Sequence, residues 1–175
     1  MIDPPSLSIT VREERPEDHE VIREVNRLAF GNEGEGRLID RLREEGRMIV
    51  SLVALEGEGV VGHILFSELP IETREGVIPG ASLAPMAVLP ERQNRGIGSA
   101  LVERGLALCR EGGVAAVVVL GHPPYYPRFG FSAEAARNLE APFSGEAFMA
   151  LELTPGALLP HGGKVSYPEA FFEVE

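Results

Sequence analysis

An uninterrupted apolar run, VAAVVVL at residues 114–120, constrains the fold more than any other segment of the chain. The run is far shorter than the ~20 residues that a membrane-spanning helix needs, and it indicates a strand buried on both faces. Strands of that kind are typical of parallel pairing. Residues 96–110, before the run, have the broad apolar stripe of a helix, and a strand precedes them. The sequence therefore predicts a right-handed βαβ unit over residues 82–120.

A strand and two helices are predicted near the start of the chain. Alternation of apolar and polar residues predicts a strand at residues 7–13. Pro16 suits the first position of a helix and Gly31 suits its end, which predicts a helix over residues 16–31. A second helix is predicted at residues 35–45.

The remaining pattern predicts more strands and completes one α/β domain with a mixed sheet over residues 1–175. Three strands with turns between them are predicted at residues 47–56, 59–72 and 77–89. The turns are EGEG at residues 56–59 and TREG at residues 73–76. After the buried strand we expect a short helix around residues 124–128 and a further hairpin.

Charge and cysteine content exclude several classes of protein. The formal net charge of −11 argues against a nucleic-acid partner, which needs a basic face to neutralise phosphates. The polar, acidic N-terminus lacks the apolar core of a signal peptide, and we expect no membrane partner. Cys109 is the only cysteine, so no intramolecular disulfide can form, which suits a cytoplasmic protein. Its place on the apolar side of a helix predicts a core residue.

Gly96 and Gly98 stand where the predicted strand gives way to the predicted helix. A Rossmann fingerprint needs a third glycine where this chain has Leu101, and a P-loop needs a Gly-Lys-Ser/Thr sequence that the chain lacks. The remaining pattern is Gln-x-x-Gly-x-Gly, beginning at Gln93. Free N–H groups at a helix N-terminus, approached closely at glycine, suit a pyrophosphate, and Arg95 can add charge. A tight turn without a ligand is the alternative.

Residues 83–106, LAPMAVLPERQNRGIGSALVERGL, resemble the acetyl-CoA-binding motif of the GNAT superfamily of N-acetyltransferases. That motif joins a strand ending in Val-x-Pro-Glu to Gln-x-x-Gly-x-Gly and a helix, and the matching residues are Val88, Pro90, Glu91, Gln93, Gly96 and Gly98. Residues 117–131, VVVLGHPPYYPRFGF, resemble the family's next strand and short helix, matched by Tyr126, Gly130 and Phe131. The Gly-x-Pro-x-Tyr-Tyr-x-Arg-Phe-Gly-Phe form, beginning at Gly121, is typical of a bacterial subgroup.

The resemblance implies an α/β (α+β) fold with a central, mostly antiparallel twisted sheet, one splayed parallel strand pair and flanking helices. Coenzyme A would lie between the splayed strands. Pro85 fits this expectation because proline marks an edge or a bulge in a strand, although it can also mark only a strand boundary. The residues implied to bind the acetyl-CoA co-substrate are Met86, Ala87, Val88, Gln93, Asn94, Arg95, Gly96, Ile97, Gly98 and Ser99. No metal is implied.

The implied reaction moves an acetyl group from acetyl-CoA to an amine of a small molecule or peptide, by direct attack in a ternary complex. A backbone N–H near Met86 or Ala87 would stabilise the oxyanion. Tyr126 occupies the family's usual general-acid position. The alternative is that Tyr126 is a core aromatic residue whose hydroxyl is hydrogen-bonded within the protein. Since tyrosine has an ordinary pKa of ~10 and a thiol ~8.5, a hydrogen bond to the sulfur is the expected role of Tyr126. Tyr125 is a neighbouring candidate, one residue out of register.

The general base is not identified by the sequence. Family members often carry a glutamate on the strand before the pyrophosphate loop, and residues 82–89 contain no carboxylate. The candidates are His63, Glu68, Glu33, Glu35, His122 and water. A non-catalytic acyl-CoA-binding regulatory module is the alternative function. The acceptor, the length of the acyl group and a homodimer are left open.

Overall fold

A computed structural model describes residues 8–142, 145–158 and 162–173. Its strands, in chain order, are β1 (Ile9–Glu13), β2 (Met48–Glu56), β3 (Gly59–Glu68), β4 (Ile71–Thr73), β5 (Gly76–Ile78), β6 (Gly80–Val88), β7 (Ala116–Leu120), β8 (Leu139–Glu140), β9 (Phe148–Glu152) and β10 (Gly163–Val165). The main sheet has the order β1-β2-β3-β6-β7-β9. Only β6 and β7 pair in parallel within it, residues 80–83 with residues 116–119. The mixed sheet and the parallel pair confirm the predicted fold class.

The helices are α1 (His19–Phe30), α2 (Gly34–Glu44), α3 (Ile97–Glu111), α4 (Ala133–Ala136) and α5 (Ala170–Glu173). The first three confirm the predicted helices, and Gly31 ends α1 in the left-handed region with φ of 79°. The short helix expected around residues 124–128 is a 3₁₀ turn at Tyr126–Phe129. Along the described ranges, no helix is long and apolar enough to cross a membrane.

Two predicted strands are divided in the structure. The strand predicted at residues 59–72 ends as β3, and its last part forms β4 in a second sheet with the order β5-β4-β10-β8. The strand predicted at residues 77–89 is divided between β5 and β6. Pro70 and Pro79 lie at the two breaks, where proline has no N–H to donate to a ladder. The hairpin expected after residues 124–128 is also wrong, because β8 pairs with β10 and β9 pairs with β7.

Opposite faces of the main sheet are covered by α3 and by the pair α1 and α2. Side chains alternate along a strand, so Leu52 of β2 packs with the α3 core and Val53 packs with the α1–α2 core. Close contact on the α3 face requires Gly105, because a Cβ there would overlap the ring of Phe66. Cys109 lies in the same core, as expected, and burial raises the pKa of its thiol to about 12.

Candidate active site

A cavity of about 850 Å³ opens where β6 and β7 separate. The last parallel pair joins Leu83 to Val119. Between Leu83 and Met86, β6 has one residue more than β3 opposite it. This extra residue is a β-bulge at Ala84 and Pro85, which bends the strand away from its neighbour. The bulge inferred from Pro85, and the separation of the two strands, are confirmed.

The bulge decides which backbone groups of β6 face the gap. The N–H of Leu89 donates to β3 at 2.9 Å. Hydrogen bonding alternates along an antiparallel strand, so Ala87 also faces β3, while the N–H and C=O groups of Met86 and Val88 face the gap. Gln93 Nε2 donates to one of them, the carbonyl of Val88, at 3.0 Å. The bulged strand therefore presents an open edge to the cavity.

The first turn of α3 forms another wall of the cavity. Gly96 precedes the helix with φ of 84°, and the first intrahelical bond runs from Ala100 N to Gly96 O at 3.0 Å. The N–H groups of Ile97, Gly98 and Ser99 have no acceptor within the helix. Unpaired N–H groups and the positive end of the helix dipole together favour an anion at this wall.

Most of the predicted site residues meet in this cavity. Those that line it are Met86, Val88, Gln93, Asn94, Gly96, Ile97, Gly98, Ser99 and Tyr126. Arg95 is exposed and Ala87 is turned towards β3, and neither belongs to the lining. Two arginines that the motif did not single out, Arg92 and Arg128, do line the cavity. The cationic side chains at the lining therefore differ from the one that the motif suggested.

Tyr126 is buried at the cavity with its ring held by other aromatic rings. Its ring meets Tyr125 edge-on at a centroid distance of 5.1 Å and Phe131 at 5.8 Å. Gly121 makes room for it, because a Cβ at Gly121 would overlap the ring. Within the described ranges, no hydrogen bond reaches the Tyr126 hydroxyl. Burial, and to a lesser extent Tyr125, raises the pKa of Tyr126 to about 12.

Tyr125 has a different environment, although it lines the same cavity. Its hydroxyl lies 3.1 Å from Ser99 Oγ, at the first turn of α3. The guanidinium of Arg128 lies over the Tyr125 ring, 4.4 Å from the centroid. The Tyr125 hydroxyl is thus engaged by α3, while the Tyr126 hydroxyl is free to meet a bound molecule.

The cavity separates the candidate bases into two groups. Glu35 and His122 line it, whereas His63, Glu68 and Glu33 do not. Glu33 is exposed, and Glu68 forms an ion pair with Arg47 at 3.3 Å. A carboxylate or imidazole outside the lining has no contact with a molecule in the cavity, so two of the five predicted side chains keep a place at the site.

His63 belongs to a buried polar cluster on the α1–α2 face of the sheet. Its ring nitrogens lie 3.3 Å from Asn26 Nδ2 and 3.0 Å from Ser51 Oγ. Ser51 donates in turn to Glu14, which pairs with Arg43 at 3.1 Å. Burial lowers the pKa of His63 to about 4, and this outweighs the opposite effect of Glu14. The imidazole is therefore a neutral structural group.

The cavity also reaches the sheet face that α1 and α2 cover. Five residues of its lining lie on that side, namely Phe30 of α1, Glu35 and Leu38 of α2, Phe171 of α5 and Tyr167. Tyr167 and Phe171 meet edge-on at 5.2 Å, and Ser82 hydrogen-bonds Tyr167, whose pKa burial raises to about 12. Motif reasoning missed these aromatic residues because they follow β7 by many residues and carry no local signature. The gap between β6 and β7 thus joins the two faces.

The family model described as "Acetyltransferase (GNAT) domain" matches residues 10–133. This match covers more than half of the chain and includes the bulged strand, the glycine turn and Tyr126. The chain belongs to the GNAT superfamily of acetyltransferases. Membership confirms the predicted family and the predicted enzyme class, an acetyl-CoA-dependent N-acetyltransferase.

Known relatives of this GNAT acetyltransferase extend over nearly its whole length. The uncharacterized N-acetyltransferase YhbS of Escherichia coli K12 is 36% identical over 164 residues, which are 92% of this chain and 97% of YhbS. The crystal structure of YhbS in complex with CoA has a TM-score of 0.86 at 35% identity, covering 98% of this chain and 96% of YhbS. A GNAT family acetyltransferase from Brucella melitensis in complex with acetyl-CoA has a TM-score of 0.78 at 36% identity, with coverage of 94% and 99%.

The acceptors of GNAT acetyltransferases are amines, and a metal is not among the groups that the resemblance implies. Across residues 8–142, 145–158 and 162–173, no three His, Cys, Asp or Glu side chains are grouped so that they could hold a metal ion.

Proposed function

We propose that this chain binds acetyl-CoA in the gap between β6 and β7 and transfers its acetyl group directly to an amine of a small molecule or peptide. The observation that carries the proposal is the meeting of three features in one cavity. These are the free N–H groups of the first turn of α3, the open edge of β6 and the unpartnered hydroxyl of Tyr126. The related YhbS and Brucella proteins, whose crystal structures are complexes with CoA and acetyl-CoA, support the choice of co-substrate. We further propose that residues 1–175 act as one domain.

The pyrophosphate of the co-substrate would lie against the first turn of α3. The N–H groups of Ile97, Gly98 and Ser99 donate to its oxygens, and the helix dipole adds to the attraction. Asn94 and Gly96 shape the preceding turn with φ of 63° and 84°. Gln93 holds the loop to β6 through the carbonyl of Val88 rather than through the ligand. Arg128 supplies positive charge from the lining, whereas Arg92, which also lines the cavity, is ion-paired with Glu56.

The pantetheine arm would lie along the open edge of β6. Its amide groups can pair with the N–H and C=O groups of Met86 and with the N–H of Val88 as a neighbouring strand would, while the Val88 carbonyl accepts from Gln93. The thioester then lies beside the bulge, where a backbone N–H from Met86 can stabilise the oxyanion that develops on the acetyl carbonyl. Ala87, which faces β3, has no part in this step.

The acetyl group moves in a single displacement within the ternary complex. The amine nitrogen forms a bond to the acetyl carbon, the bond from that carbon to sulfur breaks, and one proton from the nitrogen ends on the sulfur. Full proton transfer from Tyr126, with a pKa of about 12, to a thiolate of pKa ~8.5 is uphill by roughly 5 kcal/mol. Tyr126 therefore donates a hydrogen bond to the departing sulfur and does not supply its proton.

Thiol release from acetyl-CoA across a panel of small-molecule and peptide amines tests the proposed function. Cys109 does not disturb a thiol reagent, because the Cys109 thiol is buried with a raised pKa. We expect release that depends on the amine and forms acetylated amine in equal amount, as mass spectrometry would show. Thiol release that no amine increases would contradict acetyl transfer and favour the regulatory module.

A further inference from the structure

Glu35 stands out among the residues of the cavity because, within the described ranges, its buried Oε2 atom has no hydrogen-bond partner. Of the described residues that line the cavity, it is the only one with a carboxylate. A carboxylate oxygen withdrawn from water without a donor is costly, and a cationic or hydrogen-bond-donating group relieves that cost. The cavity is thus prepared for a cation at Glu35.

The surroundings of Glu35 are apolar and aromatic. Phe30, Leu38, Tyr167 and Phe171 line the same cavity, and Tyr167 packs edge-on against Phe171 at 5.2 Å. Ring faces attract ammonium groups, and apolar walls favour a ligand with an apolar body. Arg128, which lines the cavity as well, is unsuited to a cationic ligand and suits the phosphates of the co-substrate.

We propose that Glu35 and these aromatic walls bind the acceptor, and that the acceptor is a monoamine with an aromatic or similarly apolar body. The ammonium group donates to Glu35 as it binds and releases one proton to water before the neutral nitrogen attacks, and the body lies against Phe30, Tyr167 and Phe171. One carboxylate matches one positive charge, whereas a polyamine would leave further charges against apolar walls. The identity of this site as an acceptor site rests on the proposed function, but the binding of a monoamine to it does not.

Calorimetric titration of the full chain without acetyl-CoA tests the amine site separately from acetyl transfer. The probes are phenethylamine, its neutral counterpart 2-phenylethanol and the polyamine spermidine. A charge-assisted hydrogen bond predicts that phenethylamine binds at least about tenfold more tightly than 2-phenylethanol. Spermidine should bind more weakly than phenethylamine. Equal affinity for the amine and the alcohol, or tighter binding of spermidine, would overturn the proposal without any variant being made.

The substitution Glu35→Gln isolates the carboxylate, and Glu33→Gln is its matched control, because Glu33 is exposed and lies outside this cavity. We expect Glu35→Gln to weaken the binding of phenethylamine about tenfold and to leave the affinity for 2-phenylethanol unchanged. Glu33→Gln should change neither affinity by more than about twofold. Unchanged phenethylamine affinity in Glu35→Gln would contradict the proposal.

Loss of acetyl transfer and loss of the amine site would give different experimental results. If phenethylamine binding depends on Glu35 but no amine is acetylated, the proposed function is wrong and the amine site stands. If acetylation occurs but the Glu35→Gln variant keeps the affinity of the wild type for phenethylamine, the acceptor site is wrong and the acetyltransferase stands. Acetyl-CoA titration of each variant reports whether its cavity is intact.

Discussion

Two adjacent tyrosines at the cavity differ in what their hydroxyl groups contact. The Tyr125 hydroxyl is within 3.1 Å of Ser99 Oγ, whereas the Tyr126 hydroxyl has no partner in the described ranges. The ring of Tyr126 is fixed by Tyr125 and Phe131. A fixed ring with an unused donor is suited to a group that appears only during the reaction, such as the departing thiolate.

Removal of the Tyr126 hydroxyl should therefore affect turnover and leave the fold intact. We expect Tyr126→Phe to lower kcat by about 10- to 100-fold, as for the loss of a hydrogen bond to a charged group, with little change in the KM for acetyl-CoA. The melting temperature should not fall, because the substitution breaks no hydrogen bond. Steady-state kinetics with Tyr125→Phe as the control checks this, and full kcat in Tyr126→Phe would remove Tyr126 from the mechanism.

The burial of His63 leads to a prediction about the pH dependence of stability rather than about catalysis. Its pKa is about 4 in the fold and ~6.5 in an unfolded chain, so the unfolded state binds more protons between these values. The stability contributed by neutral His63 is complete above pH 6.5 and is lost as the pH falls towards 4. Between pH 7 and 5 the free energy of unfolding should fall by roughly 2 kcal/mol from this group.

Urea unfolding at several pH values would measure the effect of His63. Glu14, whose pKa is lowered by Arg43 and Ser51 despite its burial, loses its own contribution at lower pH, below the ordinary range of a carboxyl. The variant His63→Gln should therefore lose most of the slope between pH 7 and 5. An unchanged slope would mean that His63 is not the neutral buried group described above.

At the scale of elements, α3 uses two glycines in different ways. Gly98 lies in the first turn at the cavity, where an added Cβ would be 3.1 Å from Tyr125 Oη and 3.5 Å from Met86 Cε. Gly105 lies two turns further on, against the ring of Phe66. The first position lies at the cavity wall, where we propose that the co-substrate binds, and the second allows the helix to pack closely on the sheet.

We expect Gly98→Ala to weaken the binding of acetyl-CoA by at least about tenfold, or about 1.4 kcal/mol. The reason is that the added methyl group would lie in the wall that the pyrophosphate approaches. Stability should be kept, since alanine favours a helix more than glycine does. Calorimetry with acetyl-CoA and a thermal melt measure the two effects. Unchanged affinity would exclude a close approach of the ligand at Gly98.

Gly105→Ala should lower the stability of the fold, in contrast to Gly98→Ala. The new Cβ would overlap the Phe66 ring, and overpacking of this kind costs about 1–3 kcal/mol of folding free energy. Urea unfolding of the variant checks the loss, with Gly98→Ala as the matched control in the same helix. A variant as stable as the wild type would show that α3 and β3 can move apart at no cost.

Local patterns were sufficient to predict α3 and its glycine turn, the strand β7 and the bulge at Pro85, because each depends on neighbouring residues alone. The two divided strands also contained a local signal for their breaks, Pro70 and Pro79, but these prolines were not used to end a predicted strand. The acceptor side of the cavity could not be predicted in the same way. Glu35 and His63 lie on the same face of the sheet, and which of them meets the cavity depends on how α1 and α2 pack there, because His63 is enclosed by Asn26 and Ser51 whereas Glu35 is left at the cavity wall.

At the scale of the whole molecule, the separation of β6 and β7 joins the two faces of the sheet. The α3 face presents N–H groups and arginines, and the α1–α2 face presents Glu35 among aromatic rings. An anionic co-substrate and a cationic acceptor can thus approach from opposite sides and meet at the bulge. Under the proposed function, the co-substrate would bind on one face and the acceptor on the other, as direct attack in a ternary complex requires.

The central claim is that the gap between β6 and β7 is an acetyl-CoA site, and calorimetric titration of the full chain with acetyl-CoA tests it most directly. We expect saturable binding of one acetyl-CoA per chain, with a Kd below about 1 mM, in the range usual for enzyme substrates. The Gly98→Ala variant should bind more weakly in the same experiment. No detectable binding at millimolar acetyl-CoA would contradict the account.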